Sequence, residues 1–181
     1  GSSLDKKQSV AMNILEYAIM DAPGAPLKKA LVDAGIGEDV FASFDDGIRQ
    51  TIFSIVARNA NMSDKERFVS VIRDTLTDLS GHGEEGKAID RTSIEAAINN
   101  FEFKHKEANF GRFPKGLMMG LDAFNTWLYD DASALEMFKL NEVYDELKES
   151  LKTGYFEELI WEKLVQNTFG MIFVMKPKKG L

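Results

Sequence analysis

From Leu4 onward the apolar residues recur at helical spacing: Val10, Ile14 and Ala18, with Leu15 and Tyr17 beside them, form one stripe. Ala22-Pro23-Gly24 should end that helix. Pro26 suits a first helical turn, and Leu27, Ala30, Leu31 and Ala34 predict a short second helix closed by Gly35 or Gly37. The pattern then changes from helical to extended. Val40 to Phe44 and Thr51 to Ala57 are rich in β-branched and aromatic residues, and Asp45-Asp46-Gly47 between them supplies turn chemistry, so an antiparallel hairpin is expected.

Ser63-Asp64-Lys65-Glu66 has the form of a capping box ahead of Phe68, Ile72, Leu76 and Leu79 on one helical face. Ser80 to Lys87, glycines among charges, reads as a loop. Helical spacing resumes at about Asp90 with Ile94, Ile98, Phe101, His105 and Ala108. Phe110-Gly111-Arg112-Phe113-Pro114-Lys115-Gly116 interrupts it, because the residue before a proline avoids the helical region and Pro114 suits the start of a new helix. Leu117, Leu121, Phe124 and Leu128 carry that helix to Tyr129. Ser133-Ala134-Leu135-Glu136 is a second capping-box match, opening a helix with Leu140, Tyr144, Leu147 and Leu151 inward. Gly154 separates it from a last helix through Phe156, Leu159, Ile160 and Leu164, and Gly170 to Lys176 predicts a final strand before Pro177.

The order α-α-β-β-α-α-α-α-α-β is an α+β layout, read as a single domain over 4–181, with helices packed on a small antiparallel sheet. Gly1-Ser2-Ser3 looks like a cloning remnant, so the chain is expected to be a piece of something larger. In Met171-Ile172-Phe173-Val174-Met175 neither alternate set of side chains is polar, so both faces of this strand should be covered. Three strands leave it short of a neighbour, either another strand beside it or another domain across it. A bare edge is a pairing liability, and dimers created by truncation are expected.

Composition narrows the function. With 44% hydrophobic and 28% charged residues, the 181-residue chain is an ordinary globule. Cysteine is absent, which excludes disulfides, thiolate zinc sites and a cysteine nucleophile within it. The balance of 22 Lys+Arg against 29 Asp+Glu gives −7, which repels a phosphate backbone, so nucleic acid is not an expected partner. No apolar run approaches the roughly 20 residues that span a bilayer, and the start lacks a signal-peptide layout, so no membrane partner is expected. The expected compartment is cytoplasmic, or an organellar matrix if the source is eukaryotic.

Catalytic motifs are missing. Neither H-E-x-x-H nor H-x-x-E-H occurs around His82 or His105. Glu102 and His105 form a single E-x-x-H pair, half of what a carboxylate-bridged metal site needs. No G-x-S-x-G, phosphate loop or dinucleotide fingerprint is present, and Gly35-Ile36-Gly37 follows a helix, where capping explains it better. The neighbouring acids Glu84 and Glu85, and Asp130 and Asp131, read as solvated charge. So do Lys176, Lys178 and Lys179 after the last strand. The remaining candidate is the joint at Phe110, Arg112, Phe113 and Lys115. Cations among aromatics at a helix break could grip a peptide or a neighbouring domain; alternatively the aromatics anchor the turn in the core while the cations reach solvent.

The segments Asp21-Ala22-Pro23-Gly24-Ala25-Pro26-Leu27-Lys28-Lys29-Ala30-Leu31 and Asn109-Phe110-Gly111-Arg112-Phe113-Pro114-Lys115-Gly116-Leu117 resemble the presequence protease branch of the pitrilysin and insulysin-like zinc metallopeptidases, with Ala25 where the family has serine. Gly35-Ile36-Gly37, Ala96-Ala97-Ile98-Asn99, Trp127-Leu128-Tyr129-Asp130 and Asn167-Thr168-Phe169-Gly170 follow in family order. The resemblance implies the second of four homologous domains of a hinged chamber. The zinc motif lies in the first, so zinc is expected in a preceding domain and no catalytic or metal residue carries over. The implied role is to wall a chamber for unfolded peptides, inactive alone, with the other domains as partners. The resemblance also implies an opening strand upstream of the first helix, which this chain lacks. Two further readings stay open: a free-standing subunit that pairs in trans with a zinc-bearing one, and a peptide-binding or dimerisation module unrelated to proteolysis.

Overall fold

The computed structural model describes residues 1–84, 86–178 and 180, with Met137 described by its backbone; Glu85 and Lys179 of the readings above lie outside it. Helix α1 (Lys6–Glu16) starts where the Asp5 carboxylate accepts the Gln8 N–H at 3.0 Å, and continues into a π-helical turn, Tyr17–Asp21. Ala22 ends it in an extended conformation, as a residue before proline must. Helix α2 (Pro26–Asp33) opens on proline. It closes at Gly35 (φ 67°), whose N–H donates to the Val32 carbonyl while the Ile36 N–H donates to that of Leu31. Gly37 (φ 70°) serves a different end. A Cβ there would lie 2.6 Å from the Arg58 carbonyl oxygen, so glycine lets the chain pass beside the end of the hairpin.

Strands β1 (Asp39–Asp45) and β2 (Ile52–Arg58) pair antiparallel within a residue or so of the expected bounds. Val40 opposite Ala57, Ala42 opposite Ile55 and Phe44 opposite Phe53 form the inner face, which packs on the core. Phe41 and Val56 pair on the other face, with Arg58 over the Phe41 ring. The turn is tied to α1: the Asp46 carboxylate accepts from Ser9 Oγ (3.2 Å) and Asn13 Nδ2 (3.0 Å).

Helices α3 (Lys65–Leu79), α4 (Arg91–Glu107), α6 (Leu140–Ser150) and α7 (Tyr155–Ile160) complete the core around α1. Ile14, Leu15 and Ile19 are wholly buried among Leu27 and Leu31 of α2, Ile94 and Ile98 of α4, Leu147 of α6, and Phe156 and Ile160 of α7. Asp90 caps α4 by accepting the Ser93 N–H at 2.9 Å. Helix α5 (Lys115–Trp127) stands apart from this cluster.

Three expectations are corrected. Gly170 to Lys176 forms no strand: among the described residues the sheet has two strands, and Phe169 and Phe173 are 94% and 80% exposed. A strand exists through its ladder bonds, and here no edge lies beside this segment. The Ser63 capping box is not made, because a 3-10 turn, Met62–Asp64, precedes α3 and puts Asp64 at the cap. Nor does Ser133 open a helix. Its hydroxyl donates to the Asp130 carboxylate and Glu136 pairs with Lys6 and Lys139, so short turns at Asp131–Ser133 and Glu136–Phe138 delay α6 to Leu140.

Candidate functional site

The joint between α4 and α5 is built from local hydrogen bonds. Lys104, His105 and Lys106 complement the carboxyl end of α4, and Ala108 stops it in the left-handed region (φ 46°). The Asn109 side-chain oxygen accepts the Gly111 N–H at 3.0 Å, and the Phe113 N–H donates to the Phe110 carbonyl at 3.2 Å. The Pro114 carbonyl then accepts the Leu117 and Met118 N–H groups and starts α5. This turn leaves Phe110 half-buried and sets Arg112, Phe113 and Lys115 in solvent; Phe113 is 65% exposed. Anchoring of both aromatics in the core therefore does not hold for Phe113.

The apolar surface continues along α5. Leu117, Leu121, Phe124 and Leu128 share one face by spacing, and all three leucines are more than half exposed. Phe124 and Trp127 stack with ring centres 5.5 Å apart. Leu135 and Phe138, on the segment that packs against α5, are exposed as well. The other side of the helix is fastened. Ala123 and Thr126 are buried, and Thr126 Oγ1 donates to the Ser133 carbonyl at 2.9 Å. Asp122 is half-buried near the hairpin turn; burial first, then the Asp46 carboxylate, push its carboxyl above the usual range. Sequence reasoning named the head of this surface and missed its length. A signal was present: α5 carries just Lys115 and Asp122 as charges, which is the make-up of a covered helix.

Elsewhere both histidines and Glu102 are already engaged. His82 stacks on Trp161 at 3.9 Å, and its Nδ1 lies 3.2 Å from Ser80 Oγ and 3.1 Å from the Ser80 carbonyl oxygen. His105 sits against Tyr144, and burial first, then Lys106, lower its pKa. Glu102 is held by two lysines: Lys106 and Lys148 both donate to it and hold its carboxyl below the usual range. Tyr144, pushed up to about 12 by burial and then by Glu102, stays protonated beside them. Asp130 caps the turn at Asp131. Among the described residues no group of three or more histidines and carboxylates could hold a metal ion.

These observations define a helix-rich α+β domain whose distinguishing surface is apolar and suited to contact. No helix of the described residues is long and apolar enough to cross a membrane. No family model matches the chain. Curated relatives do. Protein HypA of Clostridium perfringens is 35% identical over 181 residues, which is all of this chain and 18% of that protein. Presequence protease 1, chloroplastic/mitochondrial, of Arabidopsis thaliana is 30% identical over 179 residues, 96% of this chain and 16% of that protein. The mitochondrial presequence protease of Gibberella zeae is 27% identical over 186 residues, 98% of this chain and 17% of that protein. The chain thus spans less than a fifth of the length of these relatives. It is homologous over essentially its whole length to one segment of the presequence proteases, which fits a domain of a pitrilysin-like protease and bears out the resemblance read from its motifs.

Proposed function

We propose that this chain is a non-catalytic domain, the second, of a zinc-dependent presequence-protease-like peptidase. It helps wall a chamber in which unfolded peptides are cut, and it is inactive alone. The zinc is held by a preceding domain, and the binding surface here positions neighbours and peptide against chemistry done elsewhere. The observation that carries this reading is the joint and the α5 face, exposed in a chain whose relatives extend far beyond the matched segment. Phe113, Leu117, Leu121, Phe124 and Leu128 supply apolar area, while Arg112 and Lys115 rim it with charge, the usual division of a contact surface. Another domain of the same polypeptide is the occupant we assign. The proposed compartment is cytoplasmic, or an organellar matrix in a eukaryote, in line with the relatives' names.

The test is metal analysis together with a peptidase assay on the purified chain. The expected outcome is no stoichiometric zinc and no cleavage of an unstructured peptide, with or without added zinc. Zinc-dependent turnover by this chain alone contradicts the proposal.

A further inference from the structure

A second surface is unpartnered, and it is made of backbone as much as side chains. The hairpin is two strands of seven residues, and neither outer edge pairs with a third strand among the described residues. Such an edge offers a row of free N–H and C=O groups. Phe169 to Met175 is the complementary object. It is seven residues long, carries no charge and no proline, and places Phe169, Met171, Phe173 and Met175 on one alternate set with Ile172 and Val174 on the other. All six of these side chains are exposed, and the segment joins no ladder.

We infer that Phe169–Met175 is a strand donor whose acceptor is the open edge of the β1–β2 hairpin in a second copy of this chain, the two copies exchanging segments reciprocally. Every copy carries both a donor and an acceptor, and a reciprocal exchange satisfies both within a closed two-fold pair. The area is adequate. The two phenylalanines alone bring roughly 300 Å² per segment. With the methionines, Ile172 and Val174, and with the acceptor edge covered in return, each partner approaches the ~800 Å² of a standard interface. Net charge also agrees. The donor is followed by Lys176 and Lys178, and the hairpin carries Glu38, Asp39, Asp45 and Asp46 against Arg49 and Arg58.

The experiment is sedimentation of the chain from low to high micromolar concentration, with hydrogen exchange measured at both ends of the range. The expected result is a concentration-dependent dimer in which amides of the hairpin and of residues 170–175 gain protection together. Val174→Pro, which removes a donor N–H, and Phe173→Lys, which places a charge in the interface, should each weaken it at least tenfold while leaving the monomer's melting midpoint unchanged. Leu121→Lys, on α5, should leave it intact. A monomer at every concentration overturns the inference. So does protection of 170–175 that ignores concentration, which is pairing within one chain. So does a dimer that survives both tail variants, or one that Leu121→Lys dissolves.

Discussion

Helices α1 and α5 carry apolar stripes of the same period and meet opposite fates. Ile14, Leu15 and Ile19 of the first segment are wholly buried at the centre of the core, whereas Leu117, Leu121 and Leu128 of the α5 region lie more than half in water. Periodicity states which residues share a face, but burial depends on whether another element arrives to cover it. Around α1 five helices and a hairpin build the core; at α5 short turns pack against the side that holds Ala123 and Thr126. The difference separates what this chain buries in order to fold from what it leaves exposed.

The largest effect should come from cutting into the first region. Leu147→Ala, at a wholly buried site, should lower unfolding stability by about 2–5 kcal/mol in urea titrations. A smaller loss, about 1–2 kcal/mol, is expected for Gly35→Ala, because its left-handed backbone penalises a Cβ although the space is open. Stability at or above wild type would show that the α2 terminus relaxes.

Two carboxylates then give the regions opposite pH slopes. Glu102, on α4 and bound by Lys106 and by Lys148 of α6, has its pKa depressed first by those hydrogen bonds. Its contribution is present above the unfolded-state value and is lost as pH falls through the lower folded one. Asp122, on α5, has a raised pKa, so its favourable state is the protonated one. That contribution is full below the unfolded-state value and is lost as pH rises through the higher folded one. At neutral pH Glu102→Gln should therefore lower the melting midpoint and Asp122→Asn should raise it. Both differences should shrink in acid. Shifts of the same sign would erase the distinction between the two environments.

Much of this arrangement was legible from residue types. Pro26 and Gly35 bracket α2, Asp90 starts α4, and Asn109 through Pro114 form the joint, since each acts on backbone within a few residues of itself. The hairpin followed from two β-rich stretches on either side of Asp45-Asp46-Gly47. What was hidden depended on distant partners. Ser133 and Glu136 have the spacing of a capping box, but Asp130 and Lys6 compete for them. Gly170 to Lys176 has the composition of a strand, and composition supplies no neighbour. The contact candidates Phe110, Arg112, Phe113 and Lys115 were found through the proline break. The spacing beyond them predicts a helix and carries no indication of what covers it.

The smallest expected effect is the most informative. In the isolated chain Leu121→Ala and Leu121→Lys should change stability by no more than about 0.5 kcal/mol, since the side chain is already half in solvent. The measurement that tests the account most directly is Leu121→Lys placed in the full-length parent protein and assayed for cleavage of an unfolded peptide. The account predicts that cleavage falls while the same change leaves the isolated chain's unfolding midpoint in place. Full activity in the parent would contradict it, because the α5 face would then be ordinary surface with no part in assembling the peptidase.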